Sequence, residues 1–552
     1  MRVVRSLAIQ LVFGVISLAV FQTADLRGDE EQTKKGKPLF TLSKETTYVT
    51  EPLRKDGTVD YVAALNALSK RGVTAENNAA VVLYQVVGPG DIRSELRPVY
   101  FKQLGIAPLA IQGNYFVTLD QLVQQAVVGR NVSEQEFVKL DPLVRRRVFA
   151  AQDKVWEQFD QAQIRSWNAR EFPLLAEWLQ VNRDPLKLLQ QAVQRPRYYS
   201  PLIATEKEAP LVSVLLPGLT QYRELARALS IRITMNVSEG KIDEVIADSV
   251  TCHRLGRLIG QGPFLIDSLV AVAIDTMACH ADVMAAHYGK LSLAEIKAWR
   301  KQLQGLTPVP SIIERIDIGE RFSYLDVTLG MVRFGPSGLS QLDEMGESSE
   351  NEKTGFRDIF SKAMLNSISD WDNVMRRGNG WYDKLATAGR KATYQERVAA
   401  FAEINQELEE LAKSTSDLKK LALSLLAQGK KPTTVLSSQL SDILSSLMLP
   451  AVGQATLAED RLVMNNRLVE VALGLAAYRQ ETRQYPVQLE QLVPKYLDKI
   501  PEDLFSSKPV RYRRKTQGYL LYSVGPNQKD DGGQQENQEL DDVGFQVPLL
   551  LQ

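Results

Sequence analysis

The sequence contains little histidine and cysteine for its length, with three His and two Cys in 552 residues. Two cysteines cannot build the disulfide framework of a small secreted domain, so the fold must depend on a hydrophobic core. Lys+Arg and Asp+Glu both number 66, and this formal net charge of zero provides no overall basic field that would attract nucleic acid or an anionic membrane. Neither a G-x-S-x-G nucleophile elbow nor a G-x-x-x-x-G-K-[ST] phosphate loop occurs, so we predict no catalytic residues.

Hydrophobic residues make up 44% of the chain and charged residues 24%, which are ordinary values for a soluble globular protein. The length is sufficient for a sizeable core and predicts two to four domains.

The N-terminal segment has the pattern of a secretory signal peptide. Arg2 and Arg5 precede an apolar run from Leu7 to Phe21, and Ala24 offers a small residue for cleavage. The run is shorter than the roughly 20 residues that a membrane-spanning helix needs. We therefore predict an exported protein that is periplasmic, envelope-associated or extracellular. Retention of residues 1–24 as an uncleaved N-terminal anchor is the alternative, and a membrane contact is predicted only through this uncleaved segment.

Changes in composition and periodicity predict a linear series of segments. They are a signal peptide or anchor at 1–24, a linker at 25–57, an α-helical domain at 58–340, an acidic loop at 341–355, a helical segment at 356–455 and an α+β domain at 456–552.

The pattern of the long middle region is helical, and its best block runs from Tyr222 to His287. Apolar residues recur there at spacings of three and four, and breaks at Gly240 and at 260–263 divide the block into three helices. The fold class predicted is mainly α, with a helical array followed by a small α+β domain. Short strands are predicted near Ile111–Leu119, where apolar residues partly alternate.

Two Cys-His pairs, Cys252-His253 and Cys279-His280, suggest a metal site at first sight. Adjacent residues of a helix point about 100° apart, so neither pair is well arranged to chelate an ion. A helical hairpin turning at 261–263 would also leave the two cysteines offset by roughly 10 Å at 1.5 Å per residue, beyond the ~7 Å limit for a disulfide. We predict two reduced, buried cysteines and buried, hydrogen-bonded histidines, His287 included.

Three acidic residues, Asp267, Asp275 and Asp282, are spaced seven or eight apart on the third helix of this block. They are predicted to form a solvated or interhelical ion-pair face with Arg254, Arg257 or Arg315, and a polar binding groove is the alternative.

The C-terminal end changes from helical to strand periodicity. A helix begins at about Leu457 and ends before Tyr485-Pro486, because proline lacks an amide hydrogen and restrains the residue before it. A short amphipathic turn follows, and two strands are predicted between Val510 and Tyr522 around the Gln517-Gly518 turn.

The tail after these strands contains the best candidate ligands for an ion. Calcium takes six to eight oxygen ligands on a turn-rich backbone, and glycines at 525, 532 and 533 allow the loop to fold back on itself. A solvated acidic terminus is the alternative reading. The predicted Ca²⁺ ligands are Asn527, Asp530, Asp531, Asp541 and Asp542.

About the last 95 residues resemble the globular domain of type II secretion pseudopilins, especially the major pseudopilin. The blocks that carry the resemblance are AAYRQETRQYP at 476–486, LVPKYLDKIPEDLF at 492–505, YRRKTQGYLLYSVGPN at 512–527 and DDGG at 530–533. The resemblance implies an α+β fold and calcium binding in the C-terminal loop. Asn527 stands where that family tends to have Asp, and Asp542 matches its late acidic position.

The chain departs from this family in front of the globular domain. A pseudopilin begins with a peptidase site and a long apolar helix that polymerises, whereas the equivalent helix here follows some 430 other residues. We therefore expect a borrowed folded module rather than a conventional pseudopilus subunit.

Together these features predict an exported, non-catalytic binding or structural protein with protein partners in the cell envelope or the secretion machinery and none among nucleic acids. The alternatives are a component associated with a type II secretion pseudopilus and, less favoured, an exported hydrolase acting through the helical domain.

Overall fold

The structure is a computed structural model and describes residues 39–130, 132, 134–204, 210–214, 216–335, 370–415, 432–449, 452–535 and 540–548. Helices dominate these residues, and a small antiparallel sheet lies near the C-terminus, so the predicted fold class is confirmed. The predicted signal peptide or anchor at 1–24 and the acidic loop at 341–355 lie outside the described residues.

The chain forms two compact units, and each unit collects segments that are distant in the sequence. Of the described residues, those within 1–68, 202–215 and 313–453 form the first unit, and those within 69–201, 216–312 and 454–552 form the second. The linear domain boundaries drawn from the sequence remain predictions.

The first unit is helical, and its core includes a buried guanidinium. Arg321 follows a π-helical turn, Ile316–Glu320, and its side chain is 1% exposed. The guanidinium lies between the rings of Tyr48 and Tyr382, 4.4 and 5.5 Å from their centroids, where cation–π attraction favours it. The helices of this unit are Tyr61–Ser69, Ile312–Arg315, Arg321–Phe334, Trp371–Gly389, Tyr394–Thr415 and Pro432–Met448.

The second unit is built around three successive helices, Leu219–Glu239, Ile242–Ile259 and Leu265–Tyr288, as the periodicity predicts. The first ends at Gly240, which adopts a left-handed conformation (φ 71°) that glycine reaches without steric cost. The other helices of the unit are Ala79–Val87, Arg97–Leu104, Leu119–Val128, Glu134–Val138, Pro142–Ile164, Pro173–Val181, Arg183–Ala192, Leu293–Gln304 and Val452–Thr482.

The second and third of these central helices approach each other closely at Gly256. A Cβ atom there would lie 3.1 Å from the carbonyl oxygen of Ala271 and 3.3 Å from the Cβ of Asp275.

By length and hydropathy Leu265–Tyr288 is one described helix that could span a membrane, but 67% of its apolar window is buried. Its position is that of a core helix.

The C-terminal segment continues the second unit with a helix and a three-stranded sheet. The helix Val452–Thr482 ends ahead of Tyr485-Pro486, and a 3₁₀ turn at Leu489–Leu492 follows, as predicted. The sheet has the order β1 (Arg511–Arg514), β2 (Tyr519–Ser523) and β3 (Val543–Val547), with both pairs antiparallel.

The hairpin of β1 and β2 confirms the two predicted strands, but β3 falls within the stretch that we assigned to the tail. Gly518 in the hairpin turn is required by β3, since a Cβ atom there would lie 1.8 Å from the carbonyl oxygen of Val547. The strand is short and directly follows the acidic residues Asp541 and Asp542, which is why we assigned it to the tail.

The prediction of short strands near Ile111–Leu119 is wrong. The backbone of Val117 is paired with side chains rather than with another strand: its amide donates to Asn182 Oδ1 at 2.8 Å, and its carbonyl accepts from Trp178 Nε1 at 2.7 Å. A buried amide and a buried indole thus satisfy the groups that a strand ladder would have satisfied. The segment is an ordered loop.

Candidate functional site

The C-terminal loop brings four of the five predicted calcium ligands together. The side-chain amide of Asn527 donates to Asp531 Oδ2 at 2.9 Å, and the backbone amide of Asn527 lies 3.3 Å from Asp541 Oδ2. Asp542 follows directly and accepts from the amide of Gly533 at 2.7 Å through Oδ2. The loop therefore closes on itself through its own carboxylates.

Gly525 permits this closure. It adopts a left-handed conformation (φ 69°), and a Cβ atom there would lie 2.3 Å from the carbonyl oxygen of Asp541. Any side chain at this position would push apart the two ends of the loop.

Asp530, the fifth predicted ligand, contacts strands β1 and β2, although its charge is close enough to raise the pKa of Asp542. Its Oδ1 accepts from the hydroxyl of Tyr522 at 2.8 Å, and its Oδ2 lies 3.5 Å from Arg511 Nε. The carboxyl is 46% exposed, so it is an outlying residue of the loop.

The buried carboxyl of the loop is that of Asp542, which is 2% exposed. Its Oδ1 is buried and has no hydrogen-bond partner. Burial, together with the nearby charges of Asp531 and Asp530, raises the pKa of Asp542 to about 6. Burial also raises the pKa of Asp541, although Arg461 lies 3.6 Å from that carboxyl and opposes the shift. The loop thus concentrates negative charge that its own contacts leave incompletely neutralised.

A second polar cluster, which we call the histidine cluster, lies in the core of the second unit. His253 Nδ1 is 2.7 Å from Asp275 Oδ1, and His253 Nε2 is 2.9 Å from Asp282 Oδ2. Arg257 Nε lies 3.0 Å from Asp275 Oδ2, and the sulfur of Cys279 lies within 4.8 Å of ligand atoms of His253 and Asp275. The imidazole and both carboxyl side chains are at most 1% exposed.

The two aspartates of the histidine cluster act on the imidazole in the same direction. Burial alone lowers the pKa of His253, but the charges and hydrogen bonds of Asp275 and Asp282 outweigh this effect and raise the pKa to about 9. With both ring nitrogens beside carboxylate oxygens, the imidazole is a doubly protonated cation at neutral pH. Its charge and that of Arg257 match the charges of the two aspartates.

The structure changes the sequence interpretation of the Cys-His pairs. Both cysteines are free and buried, as predicted. However, we expected the hairpin offset to keep the two pairs apart, whereas ligand atoms of His253, Asp275 and Cys279 all lie within 4.8 Å of one another. Helical side chains lean toward the N-terminus of their own helix. In antiparallel neighbours this lean carries His253 away from the turn and Cys279 toward it, which shortens the offset.

The three aspartates of the third central helix have different roles. Asp275 pairs with Arg257, one of the predicted partners, and Asp282 with His253. Asp267 caps its own helix, because its Oδ2 accepts from the amide of Phe264 at 3.0 Å. The interhelical form of the predicted ion pairing is confirmed for Asp275, whereas the solvated form is wrong for this helix, since all three residues are buried.

The other two histidines also differ. His280 is exposed and not buried as predicted, and its ring meets that of Phe545 edge-on at 5.1 Å. His287 is 7% exposed, and its Nδ1 lies 2.8 Å from the hydroxyl of Tyr485, as predicted for a buried, hydrogen-bonded histidine. Arg479 donates to the backbone carbonyl of His287 at 2.7 Å. These contacts hold the C-terminal segment against the third central helix.

We expect His287 to make the protein less stable in mild acid. Burial and the charge of Arg479 lower the pKa of His287 to about 4, whereas the unfolded residue titrates near 6.5. Between these values the unfolded chain binds the extra proton, so the free energy of unfolding falls by about 2 kcal/mol as the pH decreases from 6.5 to 4. Urea unfolding at several pH values checks this against His287→Gln, which should lack that part of the decline. Parallel pH profiles for the two proteins would contradict the assignment.

The described residues thus define a mainly α protein with two candidate sites, a charged C-terminal loop and a buried histidine cluster. Comparison of the chain with protein-family models, with curated proteins and with solved structures finds no match.

Proposed function

We propose that the protein is an exported binding or structural protein whose C-terminal loop binds Ca²⁺. The observation that carries the proposal is Asp542, a carboxyl that is 2% exposed and has one oxygen without a hydrogen-bond partner. A buried carboxylate oxygen in this condition costs free energy, and a divalent cation removes that cost.

The arrangement of the loop supports the same proposal. Asp531, Asp541 and Asp542 provide carboxylate oxygens, and the loop also provides backbone carbonyls, which are the hard oxygen ligands that Ca²⁺ prefers. The side-chain amide of Asn527 donates to Asp531, and its oxygen accepts from the backbone amide of Lys529, so on this proposal Asn527 exchanges these contacts for the cation.

The C-terminal architecture also supports the resemblance to secretion pseudopilins. A long helix, Val452–Thr482, is followed by an antiparallel sheet, and the candidate loop connects the last two strands. On this proposal the module serves an envelope or secretion assembly, and protein partners from that machinery are expected to co-purify with the full chain.

Calcium titration of the purified protein by calorimetry tests the proposed site. We expect saturable binding that Asp542→Asn weakens by at least tenfold, because the variant removes a charged ligand. Asp498→Asn is the matched control, since Asp498 is an exposed residue of the same C-terminal segment outside the loop. Absence of binding in the folded wild-type protein, or equal affinities for the two variants, would refute a calcium site in this loop.

A further inference from the structure

We propose that the histidine cluster binds a thiophilic divalent metal such as Zn²⁺ through His253, Asp275 and Cys279. This site is separate from the C-terminal loop and uses softer ligands. In the described part of the chain, one ligand atom from each of these three side chains lies within 4.8 Å of the other two.

The positions of the ligands follow from the helices. Asp275 and Cys279 are four residues apart on Leu265–Tyr288, and this spacing places both side chains on one face. His253 lies on the neighbouring helix Ile242–Ile259 and faces them, with its Nδ1 2.7 Å from Asp275 Oδ1. Two rigid helices therefore present a nitrogen, an oxygen and a sulfur ligand, a mixed set that suits Zn²⁺.

The surrounding groups match those that support a metal-bound histidine. When Nδ1 binds the metal, Nε2 carries the remaining proton and donates to Asp282 Oδ2, 2.9 Å away. A carboxylate in this position fixes the tautomer and the ring orientation, as it does around many bound metals. Asp282 is therefore a positioning residue.

The charge of the core is balanced both with and without the metal. In the metal-free protein the His253 and Arg257 cations balance the carboxylates of Asp275 and Asp282. A divalent ion displaces the Nδ1 proton of His253 and the thiol proton of Cys279, so two protons leave as two positive charges enter. The net charge of the buried cluster is unchanged, and no oxidant or reductant is needed.

Two further observations favour a ligand at this position. The sulfur of Cys279 is fully buried and makes no hydrogen bond among the described residues, in contrast to Cys252, whose thiol donates to the carbonyl oxygen of Ile274 at 3.7 Å. Asp275 Oδ2 forms an ion pair with Arg257 Nε, 3.0 Å away, but accepts no hydrogen bond. The proposed metal would use the thiol and the carboxylate that the protein leaves incompletely satisfied.

Cobalt substitution tests the proposal, because Co²⁺ bound to a thiolate has a charge-transfer absorption band in the near ultraviolet. The full chain is unfolded with chelator, refolded with Co²⁺, and examined by absorption and by mass spectrometry of its metal content. We expect stoichiometric cobalt and a charge-transfer band. Cys279→Ser should abolish the band, and Cys252→Ser, the matched control, should retain it.

Asp282→Asn provides a second test that does not remove a ligand. Loss of the positioning carboxylate should weaken metal affinity by about 10- to 100-fold while the charge-transfer band at saturating Co²⁺ persists. Circular dichroism establishes that each variant is folded. If Cys279→Ser fails to fold, the wild-type protein still decides the question, since refolded wild type without a charge-transfer band overturns the proposal. A band that persists in folded Cys279→Ser also overturns it.

Discussion

Replacement of His253 by alanine should lower the free energy of unfolding by about 3–5 kcal/mol, because it leaves two buried aspartates with Arg257 as their one remaining cation and removes the cationic partner of Asp282. Asp275 and Asp282 are 1% and 0% exposed at their side chains, and each forms a short contact with the imidazole. Water cannot replace these contacts while the helices stay packed. Urea unfolding followed by circular dichroism measures the effect.

His280→Ala is the control for this substitution. His280 lies on the same helix as the two aspartates but is exposed, so its loss should cost less than about 1 kcal/mol. Equal unfolding free energies for the two variants would show that the imidazole of His253 does not stabilise the buried carboxylates.

Replacement of Arg321 by alanine should destabilise the first unit by about 3–5 kcal/mol. The guanidinium donates to the carbonyl oxygen of Asp317 at 2.9 Å and to that of Asn379 at 3.2 Å, and it forms ion pairs with Asp317 and Asp383. Truncation therefore leaves buried acceptors unpaired and removes the cation from between two aromatic rings. Hydrogen exchange resolved by peptide should show the loss of protection in Arg321–Phe334 and Trp371–Gly389.

Two controls distinguish the contribution of the planar hydrogen-bond donors of Arg321 from that of its positive charge. Arg321→Lys keeps the charge but not the planar set of donors, so it should recover only part of the lost stability. Arg376→Ala removes an exposed arginine of the same unit, 49% exposed and paired with Asp372, and should change stability by about 0.5 kcal/mol or less. A wild-type exchange pattern in Arg321→Ala would contradict the proposed role.

The helices of the second unit could largely be predicted from local signals. Apolar residues at helical spacing, together with breaks at Gly240 and at 260–263, located the three central helices because these features act within a few residues. The β1–β2 hairpin was recognised for the same reason, since its strands and turn are adjacent in the sequence. The third strand was missed because it pairs with β2 across an intervening loop, so no adjacent turn marks the pairing in the sequence.

The two candidate sites also differ in how far apart their residues lie in the sequence, and this decided which site could be predicted. The residues of the C-terminal loop were recognised because their oxygen ligands are close together in the sequence, and the structure closes four of them into one loop. The histidine cluster was missed because His253 and Asp282 are 29 residues apart, and their contact depends on how two helices pack. Nothing in the local sequence distinguishes the buried His253 from the exposed His280.

By itself, the sequence determined the helical class, the central helices, the hairpin and the position of the charged C-terminal loop, because hydrophobic periodicity, glycine and proline act over short distances. Only the tertiary structure decided which charges are buried and which groups oppose them. His253, Asp275 and Cys279 become neighbours through the close approach of two helices at Gly256, where the absence of a side chain allows contact. Burial and pairing of ionisable groups arise from packing between distant segments, and this information is not present in any single stretch of the chain.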